Sequence, residues 1–177
     1  MKGDAPLRTL NLGRSLEKAV ASGHPWIYRD AVRGTGASTG EWVRVEAGRS
    51  VAFGLYDEEG AIAVRLLSRE GVPDAAWLRR RVHEALALRS GIAGSGTDAY
   101  RLLYGEGDGL PGIVVDRYGR FAVAKVYSEG VRTVLPQVTK ALTAELRLRG
   151  VVERTDEGLE PLYGQLPPPE LTVSEHG

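Results

Sequence analysis

The sequence contains no cysteine, one methionine and two phenylalanines, and its formal net charge is zero. The lack of cysteine excludes disulfide bonds and thiolate zinc sites, and it also excludes a cysteine nucleophile. No apolar run approaches the length of a transmembrane helix. The N-terminus lacks the apolar segment of a signal peptide. We therefore expect a cytoplasmic protein with no membrane association and no metal site.

The charge is unevenly distributed along the chain, although it cancels overall. Residues 150–177 carry six acidic residues and one arginine, which gives this part a net charge of −5. Residues 1–149 therefore carry an excess of +5. A modest basic excess of this kind permits contact with a nucleic acid without requiring it.

Short strand patterns dominate the first 69 residues. Alternating or β-branched runs indicate strands at 7–12, 42–46, 51–56 and 61–67, and tight turns separate the last three. One small helix is predicted at 14–22, and Gly23 ends it as a C-cap. Short strands around one small helix predict a compact β-barrel over residues 1–69, followed by a linker at 70–73.

The remainder, residues 74–177, has the pattern of an α+β domain. Apolar residues at helical spacing predict a first helix, and a clearer helix is expected at 133–149. Strand patterns flank the second helix, which indicates a strand–strand–helix–strand–strand arrangement. These four strands are predicted at 113–115, 121–127, 151–154 and 171–174, with an acidic, proline-rich loop at 161–169. A further strand is predicted to start earlier in the chain, at 100–104. The β-branched run 113–115 is typical of a strand that is buried on both faces.

A glycine-rich turn at 104–112 joins two of these strands. Its Gly105-x-Gly107 start is similar to a dinucleotide fingerprint, but that fingerprint leads into a helix, and a strand follows here. The acids in the turn would also repel a phosphate. A structural turn is therefore favoured. A metal site or a small hydrolase built from Glu106, Asp108 and Asp116 remains a less favoured alternative, since no histidine accompanies these carboxylates.

The best candidates for RNA contact lie in and after the first helix. Aromatic rings beside arginines can stack on and clamp RNA, and clustered surface cations can hold phosphates. We expect this role for Arg14, Lys18, His24, Trp26, Tyr28, Arg29 and Arg33. For Trp26, the favoured interpretation is that it closes the end of the barrel together with Ile27 as a core residue.

Several segments, in order along the chain, resemble the RlmI-like family of S-adenosylmethionine-dependent methyltransferases, which modify cytosine C5 in large-subunit ribosomal RNA. The run 106–119, Glu-Gly-Asp-Gly-Leu-Pro-Gly-Ile-Val-Val-Asp-Arg-Tyr-Gly, is similar to the central signature of that family. Gly-His-Pro-Trp at 23–26 resembles a segment of its N-terminal PUA domain. Further similarities are found at Trp77, Leu78, Arg81, Ala85 and Arg89, at 157–159 and at 169–177.

This resemblance implies a PUA-like RNA-binding barrel followed by a middle domain that braces a catalytic Rossmann-like domain absent from this chain. The family uses S-adenosylmethionine and a cysteine nucleophile. We therefore expect no cofactor and no catalytic residue here, and an inactive chain when it is alone. The expected partners are ribosomal RNA and the catalytic domain, with a homodimer as a further option. The alternative is a stand-alone RNA- or protein-interaction module.

Overall fold

A computed structural model describes residues 7–168 of the chain, which form two compact units. Unit 1 comprises the described residues up to Asp74 together with the later segment Ser128–Thr133. Unit 2 comprises Ala75–Tyr127 and the described residues from Val134 onward. The sequence had placed residues 128–133 in the second domain.

Unit 1 is built on one curled, half-barrel sheet with strand order β1-β3-β4-β5-β2. Strands β1 and β3 are parallel, and the other neighbouring pairs are antiparallel. The elements are β1 (Arg8–Leu12), α1 (Glu17–Ala21), β2 (Trp26–Tyr28), β3 (Trp42–Ala47), β4 (Ser50–Tyr56) and β5 (Ile62–Ser68). A 3-10 turn at Arg14–Leu16 precedes α1, so the predicted helix at 14–22 is divided in two.

Alternation along β3 shows how the sequence defines the core of unit 1. Val43, Val45 and Ala47 are fully buried, and the residues between them are only partly covered. Val20 from α1 and Ile27 from β2 are buried in the same core. Burying each of these aliphatic side chains stabilises the fold by about 1.5–3 kcal/mol. This core fixes α1 and β2 on the same body.

A glycine in β4 allows the sheet to curl. The register between β4 and β5 shifts between Phe53 and Gly54. A Cβ atom on Gly54 would overlap the backbone carbonyl of Arg65 on the neighbouring strand. The two backbones therefore approach at a point where only glycine fits.

A buried aspartate holds the segment Ser128–Thr133 in unit 1. The Asp57 carboxylate accepts hydrogen bonds from the Ser128 hydroxyl at 2.5 Å and from the Gly130 amide at 2.7 Å. It also accepts one from Arg65 Nη1 at 2.9 Å, and both side chains of this ion pair are about nine-tenths buried. One carboxylate thus satisfies donors from two distant parts of the chain.

Unit 2 contains a second five-stranded sheet, in the order β10-β9-β8-β7-β6. All neighbouring pairs are antiparallel except β8 and β9, which run parallel on either side of the connection through α4. Helix α2 packs against α4. The elements are α2 (Ala75–Leu88), α3 (Ser90–Ala93), β6 (Ala99–Tyr104), β7 (Ile113–Tyr118), β8 (Phe121–Val126), α4 (Leu135–Leu146), β9 (Gly150–Thr155) and β10 (Gly158–Gly164). The predicted α+β class is confirmed.

The prediction that residues 113–115 are buried on both faces is wrong. Ile113 and Val115 are buried, but Val114 between them is only partly covered. Val114 pairs with Tyr104 on one side and Lys125 on the other, and both of these residues are exposed. One face of the sheet is therefore open at these three strands.

The proline-rich loop predicted at 161–169 is also corrected in part. Residues up to Gly164 belong to strand β10, which pairs with β9 as a hairpin. Pro161 is compatible with a strand here because β10 lies at the edge of the sheet, where a missing backbone donor costs little. The strand predicted at 171–174 lies outside the described residues.

Candidate nucleic-acid interface

The end of α1 fixes the direction of the chain towards the predicted site. Gly23 adopts a positive φ of 80°. Its amide donates to the Val20 carbonyl at 3.2 Å, and the His24 amide donates to the Ala19 carbonyl at 3.0 Å. These two bonds form a Schellman motif, which explains the predicted C-cap. The His24 side chain is thereby brought back beside α1.

Strand β2 places its side chains on two opposite faces. Ile27 points into the core and is 2% exposed. Trp26 is half-buried and Tyr28 is exposed, and both lie on the other face because side chains alternate along a strand. The interpretation of Trp26 as a core residue is therefore wrong, while that of Ile27 is confirmed. Among the described residues, β2 pairs with β5 alone and is therefore an edge strand of the sheet.

Three rings form a row along this edge. His24 and Trp26 have ring centroids 5.9 Å apart at an interplanar angle of 72°, and Trp26 and Tyr28 are 6.4 Å apart at 77°. These edge-to-face contacts hold the rings and leave ring faces available. The rings line an open pocket of about 410 Å³, together with Ser15, Leu16, Ala19, Ile27, Asp30 and Ala31.

Arg29 is engaged by the protein itself. Its Nε donates to the Gly60 carbonyl at 2.7 Å, and its Nη2 donates to the carbonyls of Asp57 at 2.6 Å and Glu59 at 2.8 Å. The guanidinium also lies 5.9 Å from the ring centroid of Tyr56. Arg29 therefore holds the turn between β4 and β5, and most of its donors are already used.

The other predicted cations are oriented towards solvent. Arg14, Lys18 and Arg33 are exposed, and within residues 7–168 no ion pair joins them to a carboxylate. Arg14 and Lys18 belong to the same short helices that supply Ser15 and Ala19 to the pocket. Arg33 follows shortly after the pocket residues at 30 and 31. These cations therefore flank the ring-lined pocket in sequence.

The polar part of this pocket was not predicted from the sequence. Ser15 and Asp30 line it, and neither had been singled out. The spacing of Ser15 and Ala19, four residues apart on a predicted helix, could have indicated a shared face. Asp30 carried no such signal, because its position depends on the 3-10 turn Arg29–Ala31.

The acids of the glycine-rich turn form ion pairs instead of a metal site. Asp108 is bound by Arg89 through two bonds of 3.1 and 2.8 Å, and it also accepts the Tyr104 amide at 2.6 Å. Asp116 is bound by Arg101 at 2.9 and 3.1 Å. No group of three metal-binding side chains occurs among the residues that the structure describes. The three carboxylates therefore do not form the metal site considered as an alternative, and the small-hydrolase alternative stays a prediction.

Comparison with known proteins assigns the first unit to a class. Residues 10–69 match the model of the PUA-like domain family. This range covers β2, the ring-lined pocket and most of the sheet of unit 1. The PUA-like fold predicted from the sequence is confirmed.

The whole chain is similar to a particular methyltransferase. It is 35% identical to ribosomal RNA large subunit methyltransferase I of Citrobacter koseri over 95% of its length, and 37% identical to that of Escherichia coli over 95%. The Klebsiella pneumoniae protein is 34% identical over 98%. The resemblance seen in the sequence motifs is thus confirmed, since nearly the whole chain is similar to these methyltransferases.

The chain spans about half the length of the curated relatives it matches, 47–48%. Among solved structures, a Streptococcus mutans protein assigned as an S-adenosylmethionine-dependent methyltransferase superposes with a TM-score of 0.78. That match has 20% identity and covers 92% of this chain and 44% of the other. It supports the fold alone. No helix within residues 7–168 is long and apolar enough to cross a membrane.

Proposed function

We propose that this chain is the RNA-binding and scaffolding region of an S-adenosylmethionine-dependent ribosomal RNA methyltransferase. The observation that carries the proposal is the ring-lined pocket of the PUA-like unit, flanked in sequence by three exposed cations. The similarity to ribosomal RNA large subunit methyltransferases over nearly the whole chain supports the choice of ribosomal RNA as the ligand.

In this proposal, stacking and charge have separate roles. His24, Trp26 and Tyr28 offer ring faces to unpaired bases, which is how sequence-tolerant RNA surfaces gain affinity. Arg14, Lys18 and Arg33 neutralise phosphates, so their contribution falls as the salt concentration rises. Arg29 supports the site indirectly by holding the turn at 57–60.

Unit 2 serves as the middle domain that braces a catalytic domain, which binds S-adenosylmethionine. In this division, residues 1–69 are the RNA-binding domain, 70–73 the linker and 74–177 the middle domain, except that the segment Ser128–Thr133 belongs to unit 1. The chain has no cysteine. It therefore cannot supply the thiolate that the family resemblance implies for cytosine C5 methylation.

The test is binding of the full chain to a fragment of large-subunit ribosomal RNA over a series of salt concentrations. The test variant changes Arg14, Lys18 and Arg33 together to alanine. The control changes Arg79, Arg80 and Lys140, which are also two arginines and one lysine, exposed, and in unit 2. Each lost phosphate contact reduces the slope of log K against log salt by about 0.7–0.9, so we expect a slope about 2 units shallower for the test variant.

The control variant should keep the slope of the wild-type protein. Equal salt slopes for the test and control variants would show that these three cations do not contact the RNA. An absence of binding at low salt would refute RNA binding by this chain and favour the stand-alone protein-interaction module.

A further inference from the structure

The open face of the second sheet carries a set of exposed rings and cations that the proposed function does not use. The register places Tyr104, Val114 and Lys125 side by side on β6, β7 and β8. Arg154 on β9 follows Glu153, the partner of Ala124, and therefore lies beside Lys125 on the same face. We call this set the open face: Arg101, Tyr104, Val114, Lys125, Tyr127 and Arg154.

The two tyrosines of the open face each contact a neighbouring cation and remain exposed to solvent. Tyr104 and Tyr127 are each 59% exposed. The Arg101 guanidinium lies 5.5 Å from the ring centroid of Tyr104, and the Lys125 ammonium lies 5.4 Å from that of Tyr127. A base that stacks on the exposed part of either ring would therefore find a positive charge nearby for its phosphate.

The charge of the open face is positive. Arg101, Lys125 and Arg154 contribute three cations, and the only acid the register places among them is Asp116. Asp116 is already bound by Arg101 through two hydrogen bonds. That bond is the main reason why the pKa of Arg101 is raised above its ordinary value, with Tyr104 and Tyr127 as further contributors. Arg101 therefore stays cationic at every working pH.

We infer that the open face binds unstacked bases of single-stranded RNA, with Tyr104 and Tyr127 as the stacking residues and Lys125 and Arg154 as phosphate contacts. The inference rests on the proposed function and adds a second RNA surface on the other unit. A protein partner is the alternative outcome of the test, because exposed Leu88 and Ile92 lie beside Arg101 and Tyr104. The excess of cations over acids on the open face favours RNA instead. Exposed rings beside an excess of positive charge are complementary to a nucleic acid.

The experiment uses the full chain and a single-stranded RNA of roughly a dozen nucleotides, within the range that one stacking surface covers. The first variant is Tyr104→Ala/Tyr127→Ala, the second is Lys125→Ala/Arg154→Ala, and the control is Tyr163→Ala, an exposed tyrosine elsewhere in unit 2. Stacked bases lose about fivefold or more in affinity for each aromatic residue removed. We expect at least that loss from the tyrosine variant at an unchanged salt slope.

The cation variant should instead give a slope shallower by about 1.4, because each contact to a single strand contributes about 0.7. Ultraviolet cross-linking of the wild-type protein identifies the contacted peptides directly. Cross-links at Tyr104 or Tyr127 support the inference, even if none forms in unit 1. Cross-links only at residues 24–28, with all open-face variants equal to wild type, overturn it and leave the proposed function standing.

Two further results would also overturn the inference. If the wild-type chain binds neither this RNA nor the ribosomal fragment, the proposed function fails and the inference fails with it. If the tyrosine variant abolishes self-association in sedimentation while RNA binding is unchanged, the open face is a contact between copies of the chain.

Discussion

Two ion pairs of the same chemistry in unit 2 differ mainly in burial, and they offer a direct test of what holds the glycine-rich turn. In each pair an arginine binds an aspartate through two hydrogen bonds of 2.8–3.1 Å. The side chains of Arg89 and Asp108 are 14% and 4% exposed, whereas those of Arg101 and Asp116 are 46% and 30% exposed.

Replacing Asp108 with alanine should lower the free energy of unfolding by about 3–5 kcal/mol, because it leaves Arg89 buried without its counter-charge. It also removes the acceptor of the Tyr104 amide. Replacing Asp116 with alanine should cost about 0–1 kcal/mol, since water screens and replaces an exposed pair. We therefore expect a difference of about 2 kcal/mol or more between two chemically identical substitutions.

The assay is urea unfolding of both variants and the wild-type chain, followed by far-ultraviolet circular dichroism. The variant Arg89→Met/Asp108→Leu serves as a second control. We expect it to lose less stability than Asp108→Ala, because it leaves no buried charge unpaired, although the Tyr104 amide also loses its acceptor. Equal midpoints for Asp108→Ala and Asp116→Ala, with unchanged slopes, would refute the argument. The turn would then not depend on the buried carboxylate.

Two further predictions concern unit 1. Arg29→Ala should lower the free energy of unfolding by about 1.5–3 kcal/mol, because the carbonyls of the turn at 57–60 lose a charged donor. The control is Arg33→Ala. Equal losses of stability for the two variants in urea unfolding would contradict a structural role for Arg29. Gly54→Ala should cost about 1–3 kcal/mol through the overlap with the Arg65 carbonyl. Gly71→Ala, where a Cβ meets nothing within 4 Å, should leave the melting temperature nearly unchanged, and equal melting temperatures for the two would contradict the overlap.

The local patterns of the sequence predicted most of unit 1. Short alternating runs and tight turns define β3, β4 and β5 closely enough that the predicted and observed strands differ by one or two residues. The error at Trp26 has a simple cause. Alternation shows that Trp26 and Ile27 face opposite sides, but it does not show which side is the core. The choice was settled by the aliphatic cluster that Ile27 joins.

The candidate site was less predictable, because its chemistry depends on partners far away in the sequence. Asp108 looked like a free turn acid, and its partner Arg89 lies 19 residues earlier. Arg29 looked like a phosphate ligand until the carbonyls about 30 residues later were found to occupy its donors. Neither pairing leaves a periodic signal, so composition and spacing could name these residues but not their roles.

The link between Asp57 and the segment Ser128–Thr133 also has a consequence for the order in which the protein forms. During synthesis, most of unit 1 is made first, but the donors of Ser128 and Gly130 are added only after more than half of unit 2. Until then the Asp57 carboxylate has only Arg65 among these partners. About 130 residues must therefore leave the ribosome before all of unit 1 is available to fold. A chain cut at residue 74 would lack the last six residues of unit 1.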